Sequence, residues 1–319
     1  MSIKKILAVR NDRFGEFLLN IPAFRDLKSK FPQAKLTLVV NPYVKELAHC
    51  VEAADEVICW ENKPHKVGEI ISFSNRLRMK KFDLCLIFNP SKEFNIISFL
   101  AGIRERIGYD RKWAFLLTKK IADKKNLGKK HEIDYNLDLS RLAGAESGDR
   151  ELSLRVNQRF DEGVLKGINS DRAVVIHPWT SDSLKQWPAH KFFILAQRLI
   201  NELQLELIFI GGKEESEQSK ELLSGLGAEA VNLTGKTSLL QLAAILKRSR
   251  LLISGDSGPI HLASCVGTPV LAIFRNDLLG KGPLRWGPRS ANSIVVEKSS
   301  LMDISVEEVF NKAKEVLKI

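Results

Sequence analysis

Cysteine, histidine and long apolar runs are scarce in this 319-residue chain. Its four cysteines (Cys50, Cys59, Cys85, Cys265) form no CxxC pair, and its six histidines show no HExxH spacing. Neither a disulfide framework nor a structural zinc site is indicated, and no metal site is expected. No apolar run approaches the ~20 residues needed to cross a bilayer. The opening Met-Ser-Ile-Lys-Lys-Ile-Leu-Ala-Val-Arg has too short an apolar stretch for a signal peptide and reads as a first β-strand. A soluble, intracellular protein is expected. Low-complexity segments and short-period repeats are also missing. With 44% apolar and 27% charged residues, the composition excludes a disordered or fibrous chain. At roughly 100–200 residues per domain, the length predicts two domains or one large one.

The net charge of +11 is unevenly placed. Residues 1–160 hold 30 Lys and Arg against 20 Asp and Glu, whereas residues 161–319 hold 19 against 18. Ten basic and three acidic residues fall between Arg104 and Lys130. Such asymmetry suggests that the first half meets a polyanion, although a solvated basic face would give the same count. Aromatic residues accompany the basic stretch (Tyr109, Trp113, Phe115), but no RNP or helix-turn-helix pattern does, so nucleic acid is not the expected partner.

Hydrophobic patterning predicts strands at 5–9, 36–40, 56–60 and 83–88, with helices at 21–31 and 44–50 between them. The alternation restarts at 173–176, followed by a helix over 188–203 and a strand over 205–210. Further strands are predicted at 230–233, 250–254 and 269–274, with helices at 214–226, 239–247 and 258–266. Continuous apolar strands separated by helices indicate parallel sheets covered on both faces. The fold class is therefore α/β: two doubly wound domains facing a cleft, 1–160 and 161–303, divided in the polar stretch near 157–172. The terminal segment 304–319 reads as an amphipathic helix capped by Ser305, expected to pack back towards the N-terminal domain.

Three loops at predicted strand ends could carry chemistry. Arg10-Asn11-Asp12-Arg13-Phe14-Gly15-Glu16 lacks GxGxxG but offers two carboxylates, Asp12 and Glu16. Either could act as a general base towards a sugar hydroxyl, or could cap the next helix. His177-Pro178-Trp179-Thr180-Ser181-Asp182-Ser183-Leu184-Lys185-Gln186-Trp187-Pro188 sets hydroxyls and a mobile cation before a helix, which suits a diphosphate or makes an ordinary capped loop. In Ser254-Gly255-Asp256-Ser257-Gly258-Pro259-Ile260-His261-Leu262-Ala263-Ser264, the N–H groups of Ser257 and Gly258 at a helix start suit a phosphate. Asp256 would repel that phosphate, so it is expected to hold Lys185 or a loop. His261, one turn into the helix, reads as a packing residue or a ligand contact.

Taken in order, these segments closely resemble glycosyltransferase family 9, the heptosyltransferases that add heptose to the lipopolysaccharide inner core. The resemblance runs over nearly the whole chain: 6–24, His177-Pro178…Lys185-x-Trp187-Pro188, Gly211-Gly212, 233–239, and most specifically 255–263 continuing into Gly267-Thr268-Pro269-Val270. It implies a GT-B fold of two Rossmann-like domains, with acceptor at the N-terminal domain and nucleotide sugar at the C-terminal one. It implies inverting, metal-independent transfer with no cofactor beyond the nucleotide-diphospho-sugar co-substrate. Carried over by motif, the base falls on Glu16, the diphosphate lysine on Lys185 and the phosphate turn on Asp256, Ser257 and Gly258. Thr180, Ser181 and His261 join the donor side, and the ribose-contacting acid falls on Glu215, with Glu214 and Glu217 as alternatives. Two departures stand out: the family's base is usually Asp, and the strand ending at Phe274 continues into Arg275-Asn276-Asp277 where the family usually has Gly-Pro and a small hydroxyl residue.

The preferred expectation is a glycosyltransferase moving a sugar, with ADP-heptose the expected donor, onto an acidic lipid-linked inner-core glycan at the cytoplasmic face of the inner membrane. Asp12, Arg13, Arg104, Arg106, Lys119 and Lys120 would form the acceptor side, and the basic stretch would touch the anionic leaflet. A different nucleotide sugar used for O-antigen or another surface glycan, or a catalytically silent nucleotide-sugar binder, are the alternatives.

Overall fold

The computed structural model describes residues 2–156 and 169–319. They form two compact units, the first taking the chain up to Asn126 with Lys130–Arg155, the second Leu127–Lys129 with Val156 and 169–319. The domain boundary expected at 160/161 lies outside the described residues.

The first unit is built on β1 (Lys5–Val9), β2 (Lys35–Val40), β3 (Glu56–Cys59), β4 (Leu84–Ile87), β5 (Glu105–Tyr109) and β6 (Lys119–Ile121), in the order β3-β2-β1-β4-β5-β6. Every neighbouring pair is parallel. The second holds β7 (Ala173–His177), β8 (Glu206–Phe209), β9 (Ala230–Asn232), β10 (Leu251–Gly255), β11 (Val270–Arg275) and β12 (Ile294–Lys298), ordered β12-β11-β10-β7-β8-β9, again all parallel. Counted from each unit's first strand, the two sheets share one order, 3-2-1-4-5-6, so the winding reverses between β1 and β4 and between β7 and β10. A doubly wound sheet opens a crevice at that reversal, outside the carboxyl ends of its strands. Leu84-Cys85-Leu86-Ile87 and Ala173-Val174-Val175-Ile176-His177 are buried at every residue, as strands covered on both faces must be.

β5, β6 and β12 escape the sequence pattern for a physical reason. β5 reads Glu-Arg-Ile-Gly-Tyr, and β6 is a three-residue edge strand beginning Lys-Lys. Short, charged edge strands resist further pairing, and that chemistry hides the apolar signal. β12 is the other sheet's edge strand and ends in Glu-Lys.

The terminal helix, Val306–Leu317, is capped as expected by Ser305, whose hydroxyl accepts from Glu308 N at 3.1 Å. Its packing corrects the sequence reading: Val309, Phe310, Ala313, Val316 and Leu317 are buried in the second unit's core, with Trp187 and Leu199. The Arg198 guanidinium lies 3.9 Å from the centre of the Phe310 ring. The helix therefore completes the second unit rather than returning to the first. Phe310→Ala is expected to destabilise the second unit by about 3–5 kcal/mol, measured by denaturant unfolding, because it opens a cavity in that core. Among the described residues no helix is long and apolar enough to cross a membrane.

Candidate active site

In the first unit the chain leaves β1 at the reversal and turns into the short helix Phe14–Leu18. Arg10 is buried there. Its Nε donates to Asp12 Oδ1 at 2.7 Å, its Nη1 donates to the Phe88 carbonyl at 3.2 Å, and Nη1 also lies 3.8 Å from Glu132 Oε1. Lys125 Nζ meets the same Glu132 oxygen at 2.6 Å, so Glu132, 1% exposed, holds two buried cations behind the loop. Arg10 thus ties β1 to the residue that follows β4 across the crevice. The Tyr43 hydroxyl clasps the loop from outside, accepting from Phe14 N at 3.0 Å and donating to Asp12 O at 3.2 Å. The helix cap is Arg13, whose side chain makes no capping bond, so Asp12 does not cap it. Asp12 is engaged by Arg10, whereas among the described residues no other side chain hydrogen-bonds the Glu16 carboxylate. Burial pushes that carboxyl above the usual glutamate range, with Asp12 adding to the rise and Arg10 opposing it. A raised carboxylate at a crevice, hydrogen-bonded by backbone N–H but by no other side chain among the described residues, is better suited to accept a proton near neutral pH than one locked in an ion pair.

In the second unit β7 ends at His177 and β10 at Gly255, side by side, with Ser254 paired to His177. Buried His177 lies 3.1 Å through Nδ1 from both Ser254 Oγ and Ser257 Oγ, which are 2.8 Å from each other. Burial pushes the imidazole down to about 4, so it is neutral at physiological pH. Ser257 occupies the N-cap of the helix Gly258–Val266, yet its side chain makes no capping bond. The hydroxyl that would ordinarily close the helix is turned to His177 and Ser254; since Pro259 has no N–H and Ile260 N donates to the Ser257 carbonyl at 3.3 Å, it is the Gly258 N–H that is left uncapped at the positive end of the helix dipole. Asp256, raised by burial against the pull of Lys185, binds the Lys185 ammonium, as expected. Gly255 makes this approach possible, since a Cβ there would lie 3.1 Å from Thr180 Cγ2 and 3.4 Å from the Lys185 carbonyl. The Lys185-x-Trp187 motif is anchored from below: Trp187 is fully buried and its Nε1 donates to the Ile304 carbonyl at 3.1 Å.

The structure gathers Asp12, Arg13 and Glu16 at one reversal, and Thr180, Lys185, Asp256, Ser257 and Gly258 at the other. Glu215 follows β8 on the same rim as β7, ending a single helical turn, with one carboxylate oxygen buried and unbonded. Ser181 is exposed, and His261 is buried with its ring 6.3 Å from that of Trp286. The basic residues expected on the acceptor side are placed otherwise. Arg104 immediately precedes β5, at the amino-terminal rim, away from the crevice. Arg106 donates to the Leu116 carbonyl at 2.7 Å, also bonds the Ile103 carbonyl, and stacks on Phe99. Lys119 and Lys120, on edge strand β6, pair with Glu105 and Asp110. These are structural contacts at the side and base of the sheet. Arg10, His177 and Ser254 lie in the loops singled out from the sequence but were given no role there; Tyr43, three residues past β2, and Glu132, the first residue of the helix Glu132–Leu142, carried no signal in the sequence.

Two doubly wound units, each with polar groups converging at its reversal, and one of them with an open helix start beside a lysine, define a GT-B-type glycosyltransferase. The chain belongs to glycosyltransferase family 9 (heptosyltransferase), whose family model matches residues 70–313. It is 23% identical over 287 residues to lipopolysaccharide heptosyltransferase 2 of Salmonella typhimurium, covering 85% of this chain and 82% of that one. The fold is similar to the crystal structure of a family 9 glycosyltransferase from Veillonella parvula (TM-score 0.89, 21% identity, 100% of this chain and 99% of that one). It is also similar to the E. coli heptosyltransferase WaaC with ADP (TM-score 0.80, 20% identity, 98% of this chain and 99% of that one).

Proposed function

We propose that the chain transfers heptose from ADP-heptose to an acidic, lipid-linked inner-core acceptor of lipopolysaccharide, with inversion and without a metal. The acceptor is held on the first unit, where Glu16 takes the proton from the attacking hydroxyl. Its oxygen bonds to the anomeric carbon as the bond from that carbon to the diphosphate breaks, and ADP departs with the electron pair. Lys185 and the N–H groups of Ser257 and Gly258, at the start of the helix Gly258–Val266, meet the charge that develops on the diphosphate, a use of preorganised dipoles where charge appears. Glu215 receives a ribose hydroxyl on its unbonded oxygen. Asp256 holds Lys185 in place; His177 and Ser254 hold Ser257. The nucleotide sugar is the co-substrate and no resident cofactor takes part. The enzyme works at the cytoplasmic face of the inner membrane, associating peripherally.

The observation that carries this reading is the Ser257 hydroxyl drawn off its helix cap beside Lys185, which leaves an anion site at the second crevice. The names of relatives supply the sugar: lipopolysaccharide heptosyltransferase 2 for the acceptor, WaaC with ADP for the nucleotide. The test is incubation with ADP-heptose and a deacylated inner-core acceptor, followed by nucleotide release and product mass. One heptose added per ADP released is the expected result. Release from a different nucleotide sugar would redirect the reading to another surface glycan, as the departure at Arg275-Asn276-Asp277 invites. There Arg275 is held by Asp277 at 2.9 and 2.5 Å, forming a charged loop. Nucleotide binding with no release from any donor would mark a silent binder.

A further inference from the structure

On the first unit, the helices Val67–Lys80 and Lys92–Leu100 pack side by side, and the turn Ala114–Leu116 packs against the second of them. Among the described residues, these elements and those beside them carry six of the unit's seven large exposed apolar side chains: Val67, Ile71, Met79, Phe99, Trp113 and Phe115. Trp113 is 47% and Phe115 73% exposed, their ring centres 5.7 Å apart. The turn that presents them is held, not loose. Lys112 and Trp113 both take left-handed backbone, φ 51° and 68°, a conformation non-glycine residues rarely adopt, and the buried Asn95 amide donates to the Lys112 carbonyl at 2.8 Å. Cations are interleaved with the rings: Lys92 Nζ lies 4.1 Å from the Trp113 centroid and the Arg106 guanidinium 5.5 Å from that of Phe99.

We propose that this face is a membrane-contact surface that settles on an anionic lipid bilayer, with Trp113 and Phe115 at the headgroup level. The proposal rests on the lipid-linked acceptor of the function proposed above. Indole and phenyl rings beside lysine and arginine are the chemistry of the interface, where an apolar ring enters the acyl boundary while its cation remains with the phosphates. Residues 66–81 add five basic residues against one acidic, Glu69, with Lys80 of the five paired to Glu56. Extent argues for a lipid surface over a sugar: exposed apolar residues run from the first turn to the last of the 14-residue helix Val67–Lys80, about 21 Å.

The test compares the full chain with the Trp113→Ala/Phe115→Ala double variant in sedimentation with vesicles of phosphatidylethanolamine and phosphatidylglycerol, and with vesicles of phosphatidylcholine alone. Both side chains are exposed, so the variant should keep its thermal midpoint. The wild type is expected to bind the anionic vesicles and largely ignore the neutral ones, and the variant to partition about tenfold or more weakly. Equal partitioning of variant and wild type would overturn the proposal. So would a variant that partitions normally but loses transfer to the deacylated, soluble acceptor, since the rings would then be holding sugar. Failure of the parent to release ADP from any donor would instead count against the proposed function and leave the vesicle result to be read by itself.

Discussion

Glu16→Gln is expected to lower kcat by roughly 10²–10⁴-fold while leaving donor affinity almost unchanged, because the amide keeps the shape of the side chain but cannot take the proton. The loss should be read from single-turnover transfer, with donor affinity from a separate ADP titration. A pH profile makes the assignment sharper. The Glu16 carboxyl is held above the usual glutamate range by burial, so kcat/KM should fall on acidification with a limb lying above that range. Asp12 contributes to the rise. Asp12→Asn should therefore move the limb down while retaining transfer, and Glu16→Gln should abolish it. The rival outcome is an inactive Asp12→Asn beside an active Glu16→Gln, which would make Asp12 the base. Glu16→Asp restores the side chain usual in the family, one methylene shorter. Retained activity would mean that the crevice tolerates either length; a large loss would mean that it has been fitted to Glu, since an ångström of misplacement at a reacting atom is costly.

The sequence placed the base on Glu16 only through the family motif; spacing alone, with the two acids four residues apart in one loop, did not say why Glu16 and not Asp12 should carry the proton. The difference is tertiary. Arg10 takes Asp12, and Arg10 is itself held by Phe88 and Glu132, residues remote along the chain. Ion pairs of that range leave no periodic trace. The pairing of the basic stretch is hidden for the same reason: the sequence counts charges, while the fold pairs Lys119 with Glu105, Lys120 with Asp110, Arg111 with Asp123 and Lys125 with Glu132. What could be read were the central strands, whose burial on both faces demands unbroken apolar residues, and the loops that leave them. The second crevice was the clearer of the two because its chemistry is local. A strand end, a Gly-Asp-Ser-Gly turn and a proline in the first turn of a helix fall within a few residues, and Asp256 in that turn could be expected to need a cation. The helix Val67–Lys80 escaped because it buries only Phe73, Ser74 and Leu77. Its outward apolar residues broke the amphipathic pattern, and they are the ones now assigned to a lipid surface.

Lys185→Ala is expected to weaken donor-diphosphate binding by about 10²-fold or more. Two effects add. The cation facing the diphosphate is lost, and Asp256, 11% exposed, is left without the partner that neutralises it. Removing one member of a buried, hydrogen-bonded charge pair typically costs 2–5 kcal/mol, much of it from the orphaned charge. Here that charge stands beside Ser257 and Gly258, where it would repel the incoming phosphates. The double variant Lys185→Ala/Asp256→Asn separates the two effects. If Asp256 serves to hold Lys185, removing its charge should recover part of the lost ADP affinity, so the double variant should bind more tightly than Lys185→Ala alone. Asp256→Asn by itself should weaken binding less than Lys185→Ala, because the ammonium remains and only its restraint is lost. Calorimetric titration of ADP into the four proteins closes the cycle. Additive losses would mean that the ion pair is not coupled to the diphosphate. An unchanged affinity in the folded Lys185→Ala protein would remove the lysine from the donor site altogether, leaving the open helix start of Gly258–Val266 as the anion's only anchor.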